Sequence, residues 1–217
     1  MDPKYLEIFN CLLTIALSLS VHEAAHAFVA KLQGDTTAEK EGRLTLNPIA
    51  HIDIIGTIIL PLTMMIFSGA MFGWAKPVPV DLRNLKNQRW GYMYVALAGP
   101  FSNIILCTLS IVIIVIYSSS TGVPEPGDPL MAFAVPMIQI NALLAILNMI
   151  PIPPLDGSTV LDALLPKKLR KLYQEYITPY GMFILLALLL SNNLGFVIEL
   201  SDRYIETLFK ALSSVVT

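Results

Sequence analysis

Residues 5–32 read YLEIFNCLLTIALSLSVHEAAHAFVAKL. From Ile8 to Val21 the run carries no charge, and a membrane-spanning helix needs about 20 mostly apolar residues. The stretch therefore reads as a transmembrane helix. Yet its second half holds His22, Glu23 and His26. Ionisable groups inside a span each cost a few kcal/mol on insertion scales, and they usually serve a function. Residues four apart on a helix lie about 40° apart around the axis and about 6 Å along it, so both imidazoles can reach one ion. Glu23 stands beside the first histidine, where it can hold a water rather than ligate. This is the HExxH spacing. The competing reading is a solvated helix end or a polar helix–helix contact.

The rest of the chain agrees with a bilayer. Of 217 residues, 55% are hydrophobic and only 14% charged, against about 25% charged in a soluble domain. The length suits one domain, 1–217, with no segment polar and long enough to be a separate soluble unit. A net charge of -2, with no Lys/Arg run beyond two residues, speaks against nucleic acid as a partner and against a polybasic membrane patch. Cys11 and Cys107 sit in apolar runs and supply neither a disulfide framework nor a CxxC metal site. The N-terminal run is expected to be retained rather than removed as a signal peptide. It is too long for one, lacks a basic n-region, and carries the HExxH residues.

Four further apolar segments follow, at 52–70, 90–117, 130–150 and 177–190. The predicted class is an all-α polytopic membrane protein with five to six transmembrane or re-entrant helices and short extended segments near the site. Residues 196–216 differ. Val197, Leu200, Tyr204, Ile205, Leu208 and Leu212 recur at helical spacing opposite Glu199, Asp202, Arg203, Glu206 and Lys210. That pattern fits an interfacial helix or one packed on the bundle. Lys76, Arg83, Lys86 and Arg89 mark one connection, and Lys167, Lys168, Arg170 and Lys171 another, whereas 118–129 has no Lys or Arg. The first two are expected on the cytoplasmic side.

A zinc site of this type needs a third protein ligand. His51 is one candidate; any carboxylate reaching the same depth is another. The best of these is Asp156, in NMIPIPPLDG (148–157). Three prolines in four residues stop an α-helix, and the freed carbonyls are tolerable only within protein or around a wet cavity. An ordinary proline-rich exit turn with a capping Asp is the plainer alternative.

HEAAH (22–26), AGPFSN (98–103) and NMIPIPPLDG together resemble the core motifs of the site-2 protease family of intramembrane zinc metalloproteases, in its compact branch without PDZ or CBS domains. The likeness covers roughly 15–165 and includes GRLTLNP (42–48), His51-Ile52-Asp53 and GWAKPVPV (73–80). It departs at Ile54, where this branch usually has Pro, and at Ser158, where a second Gly often follows. The resemblance implies one zinc ion held by His22, His26 and Asp156, with Glu23 as base and Asn148 stabilising the oxyanion. It also implies hydrolysis of transmembrane protein or peptide substrates. For Asp156 to meet His22, the first and fourth apolar segments must exit on the same face, which the charge pattern makes cytoplasmic. The chain from Gln33 to Arg89 then starts and ends on that face. So 52–70 should not be one complete crossing. It should re-enter, bending near Pro61, or else be a span paired with a return through residues 71–88, and re-entry is the preferred reading.

Further expectations are less tied to motif. Leu44–Leu46 or Val78–Val80 could clamp an extended substrate by strand pairing. His51 and Asp53 could orient a ligand or cap the second apolar segment. Lys76 reads as a snorkelling lysine and Asn103 as an interhelical hydrogen-bonding residue. The alternatives are an HExxH protease of another family, with Glu175 or Glu199 as third ligand, a metal transporter, or a non-catalytic membrane adaptor. Clustering of ionisable groups at one depth argues against a transporter, and an intact Glu23 against an adaptor.

Overall fold

A computed structural model describes residues 3–59, 62–63, 73–122, 127–191 and 193–216. Among them are α1 (Pro3–Leu32), α2 (Thr37–Lys40), α3 (Gln88–Thr121), α4 (Pro129–Asn148), α5 (Asp156–Leu164), α6 (Lys167–Tyr176), α7 (Gly181–Leu190) and α8 (Gly195–Val216). No β-strand occurs among the described residues. α1, α3 and α4 are long and apolar enough to cross a membrane, and they are the first, third and fourth predicted segments, each matching to within a few residues. The fifth prediction, 177–190, is shorter than read. Pro179 lies in a single 3₁₀ turn, Thr178–Tyr180, and the ten-residue α7 follows, about 15 Å long.

The three long helices pack on one another, and α8 lies against α3 and α4. Their common core is Cys107, Ile111, Ile114 and Val115 of α3 with Ala134, Ile138 and Ala142 of α4. Ala134 and Ala142, eight residues apart on the same face of α4, let the two backbones approach closely. Tyr204, Ile205, Leu208 and Leu212 of α8 pack on the same cluster. The last segment is therefore a helix packed on the bundle, with Glu199–Arg203 and Glu206–Lys210 pairs on its exposed side. Phe101, Ile105, Leu109, Ile113 and Ile116 form an exposed apolar stripe down the other side of α3, a face suited to lipid rather than water.

Of the segment expected to re-enter, 52–70, only 52–59 and 62–63 are described; the bend near Pro61 lies outside the described residues. Ile54–Ile59 form one π-helical turn. Trp74 N–H donates to the Gly56 carbonyl (3.1 Å), and Thr57 Oγ1 donates to the Trp74 carbonyl (2.9 Å). Gly56 makes room for the indole, since a Cβ there would stand 2.3 Å from Trp74 Nε1. Residues 56–57 and Trp74 thus lie side by side, as both a re-entrant hairpin and a span with a return require.

Candidate metal centre

His22 and His26 lie on the inward face of α1, 5% and 9% exposed. Asp156 is the first residue of α5, after the proline-rich break that ends α4. α5 is fixed at its far end by Arg89, whose Nε and Nη2 donate to the carbonyls of Ala163 (2.7 Å) and Leu165 (2.8 Å). A guanidinium at a helix C-terminus satisfies the last carbonyls and complements the helix dipole. At the near end Gly157 sits so close to α4 that a Cβ would lie 2.3 Å from the Met149 carbonyl oxygen. Together these contacts aim the Asp156 carboxylate at the imidazoles.

His22 Nε2 is 3.2 Å from Asp156 Oδ2, His26 Nε2 is 3.4 Å from Oδ1, and the two Nε2 atoms are 3.0 Å apart. Hydrogen bonding on the far side of each ring fixes the tautomers. His26 Nδ1 faces the Val95 carbonyl at 2.7 Å, an acceptor only, so Nδ1 carries the proton. For His22 the assignment runs through two amides. Asn141 Nδ2 stands 2.8 Å from the Met137 carbonyl and must be the donor. Asn141 Oδ1 then accepts from Asn103 Nδ2 (2.7 Å), and Asn103 Oδ1 accepts from His22 Nδ1–H (2.6 Å). Asn141 also donates to Ser18 Oγ (2.8 Å). Asn103, Asn141 and Ser18 are each fully buried.

In the neutral rings both Nε2 atoms therefore turn lone pairs towards each other and towards a carboxylate, whose buried Oδ2 lacks a hydrogen-bond donor. Such a cluster needs a cation at its centre. Donors around a tetrahedral zinc, at bond lengths of about 2.0–2.2 Å, stand about 3.3 Å from one another; the spacings here are 3.0–3.4 Å. The residues fit the ion. Gly99 of α3 completes the cradle, because a Cβ there would stand 2.5 Å from Nε2 of both histidines.

Glu23 is directed differently. Its Oε2 accepts the Val78 N–H at 2.7 Å, which leaves Oε1 for water. Asn148, at the last turn of α4, donates through Nδ2 to the Leu144 carbonyl (3.1 Å), and an amide nitrogen has a second hydrogen to offer. His51 is not in the cluster: its Nε2 donates to the Thr45 carbonyl at 2.9 Å. Asp53 caps the π turn through Gly56 N–H (2.7 Å). Lys76 enters through its backbone, described below. Asn103 makes the expected interhelical bond, and its target is a histidine of the cluster. Asn141 went unread, and Val78 was read only within a possible substrate clamp; a buried-register amide in the apolar run 129–148 was the signal for the first, and a backbone N–H leaves none.

The fold and the centre define a class: a helical membrane protein whose buried His-His-Asp cluster can hold one metal ion beside the carboxylate of Glu23. The sequence profile of peptidase family M50 matches residues 10–127 and 127–191. The chain is 37% identical over 194 residues to YwhC of Bacillus subtilis, spanning 80% of this chain and 82% of that protein. It is 31% identical to Rip2 of Mycolicibacterium smegmatis (82% of this chain, 66% of the relative) and 31% identical to Rip2 of Mycobacterium tuberculosis (80% and 62%). All three relatives are provisionally named as zinc metalloproteases. No solved structure matches the chain. The chain belongs to peptidase family M50, the site-2 protease family.

Proposed function

We propose that this protein is an intramembrane zinc endopeptidase that cuts transmembrane substrates near the cytoplasmic face of the bilayer. The observation that carries the proposal is the convergence of two imidazole Nε2 atoms and a carboxylate within 3.0–3.4 Å of one another inside a helix bundle, one residue from a glutamate.

His22, His26 and Asp156 hold the ion. Zinc, when bound, supplies Lewis acidity, acidifying water and polarising a carbonyl. Glu23 takes a proton from the attacking water as the water oxygen bonds to the scissile carbonyl carbon. It returns that proton to the amide nitrogen as the carbon–nitrogen bond breaks. The products are a carboxylic acid and an amine, and no redox partner is needed. The free Nδ2 hydrogen of Asn148 donates to the developing oxyanion, an interaction worth roughly 3 kcal/mol where such donors have been removed. Of the two segments considered as a substrate clamp, Val78–Val80 is weakened: Val78 N–H is committed to Glu23, and Pro79 has none. Leu44–Leu46 borders an open groove of about 410 Å³ along Val21, Ala24, Ala25 and Phe28 of α1, and we assign the strand pairing there.

The test is zinc content and cleavage of a model transmembrane substrate, measured on detergent-purified wild type, Glu23→Gln and Asp156→Ala. Glu23→Gln is expected to keep zinc and lose cleavage by at least ~100-fold, and Asp156→Ala to lose both. Zinc retained in Asp156→Ala, or a wild type that neither binds zinc nor cuts, would sink the reading.

A further inference from the structure

Residues 43–51 and 73–81, which the metal centre does not use, converge on one stretch of backbone. Trp74 is bound through both its N–H and its carbonyl, to Gly56 and Thr57. Lys76 is bound the same way. Its N–H donates to the His51 carbonyl (2.9 Å), and its carbonyl accepts from Arg43 Nη2 (2.6 Å). Two residues on, Val78 N–H donates to Glu23 Oε2. Engagement at alternate residues 74, 76 and 78 is the pattern of an extended chain bound along one edge. Pro77 and Pro79 enforce it, because residues before proline avoid the helical region. They also remove the N–H groups that would compete with Val78's for an acceptor.

Both partners of Lys76 are fixed in turn. His51 is 1% exposed and Arg43 7%. The His51 side chain ties its loop back on itself through Thr45, which presents the backbone carbonyl to Lys76. Arg43 stands behind α2, its own N–H bound to the Ala38 carbonyl at 2.8 Å. On the opposite side Ala75 packs into the core against Ile15 and Leu19 of α1. The stretch is clamped on two sides immediately before it reaches the glutamate.

We propose that Arg43 and His51 are positioning residues for the base, acting through Lys76 to hold the Val78 N–H on Glu23 so that one carboxylate oxygen is fixed and the other faces water. The inference rests on Glu23 being the base. A carboxylate free to turn about its terminal torsion would meet the water only part of the time; one held by a charge-assisted hydrogen bond keeps its aim.

Two measurements test this. The first is hydrogen–deuterium exchange over 73–81 in the zinc-loaded protein, which needs no activity. Val78 is expected to exchange faster in Glu23→Ala and in Arg43→Met than in wild type. Unchanged exchange at Val78 in Glu23→Ala overturns the proposal, whatever becomes of the protease reading. The second is kinetics with zinc content, comparing Val78→Pro, which removes the N–H from a position already between prolines, with Val78→Ala, which keeps it. Val78→Pro should lower kcat on the order of 10- to 100-fold relative to Val78→Ala, with KM little different between the two and full zinc in both. Equal kcat in the two variants, or zinc lost from Val78→Pro, overturns it. Should Val78→Pro fail to fold, Arg43→Met against Arg43→Lys decides: lysine can still donate to the Lys76 carbonyl and should restore most of kcat. No rescue, or zinc lost with Arg43→Met, counts against the proposal.

Discussion

His22 and Glu23 are neighbours on α1, yet they are anchored by different parts of the molecule. His22 is held from inside the bundle by side-chain amides of α3 and α4, with every donor and acceptor of the relay buried and paired. Glu23 is held from outside the bundle by one backbone N–H of an irregular segment. A metal ligand must keep its lone pair aimed at a fixed point, and a packed, fully satisfied polar network does that. A base must accept a proton, release it and admit a substrate between itself and the ion. A loop contact leaves that side of the helix open. The contrast implies that damage to the bundle should appear first in zinc affinity, and damage to the loops first in turnover.

The largest expected effect tests the bundle side. Gly99→Ala would place a methyl 2.5 Å from the ligating nitrogens of both histidines, in a helix packed on both neighbours, with little room to give. Zinc content should fall to near zero, and cleavage with it, while the protein stays folded by circular dichroism. A fully loaded Gly99→Ala protein would mean that α3 shifts easily, and the bundle would not be the rigid half of the site. Next comes Asn141→Leu. Without the Asn141 amide, Asn103 loses the partner that fixes its orientation, and the proton on His22 is no longer confined to Nδ1. Removing such an outer hydrogen bond typically weakens metal binding 10- to 100-fold. Chelator competition should show that loss, whereas kcat at saturating zinc should change much less. A drop in kcat with unchanged zinc affinity would reverse the roles assigned to the two regions.

The division also explains what could be read from the sequence. α1, α3 and α4 were legible because each is an unbroken apolar run, and HExxH because one helix sets its spacing. Asp156 was legible only in part: the prolines announced a break, but which side chain the break would present came from resemblance to a family. Interhelical register was not legible. Asn103 could be read as bonding across helices, but not as bonding to His22, since nothing in either run states which turns face each other. α7 was overread, because hydropathy continues through Pro179 although the helix does not. The hold on Glu23 was least accessible. It is made by a peptide N–H, which every residue but proline possesses, so only the prolines on either side of Val78 hinted at it.

The smallest effect concerns the far end of the same loop. Asp35 is fully buried and accepts from Thr37 N–H (3.0 Å) and Oγ1 (2.5 Å), Asn84 Nδ2 (3.1 Å) and Asp81 N–H (2.8 Å). It ties the end of 73–81 to the turn after α1. Burial would raise its carboxyl pKa, but the donors from Thr37, Asn84 and Asp81 outweigh burial and lower it. A depressed folded value means the stabilisation is complete above the unfolded value, about 3.9, and is lost as pH falls through the lower folded one. Asp35→Asn replaces an accepting oxygen with an amide that cannot accept, leaving one buried donor unmatched, at a cost of about 1–3 kcal/mol. Unfolding followed at neutral pH should therefore separate wild type from Asp35→Asn, and the gap should narrow below about pH 4. Zinc affinity should be unchanged, and kcat should fall less than in Val78→Pro, because Lys76 still fixes the chain nearer to Glu23. If instead Asp35→Asn weakens zinc as much as Asn141→Leu does, loop and bundle are mechanically one unit, and the separation between holding the metal and moving the proton does not exist.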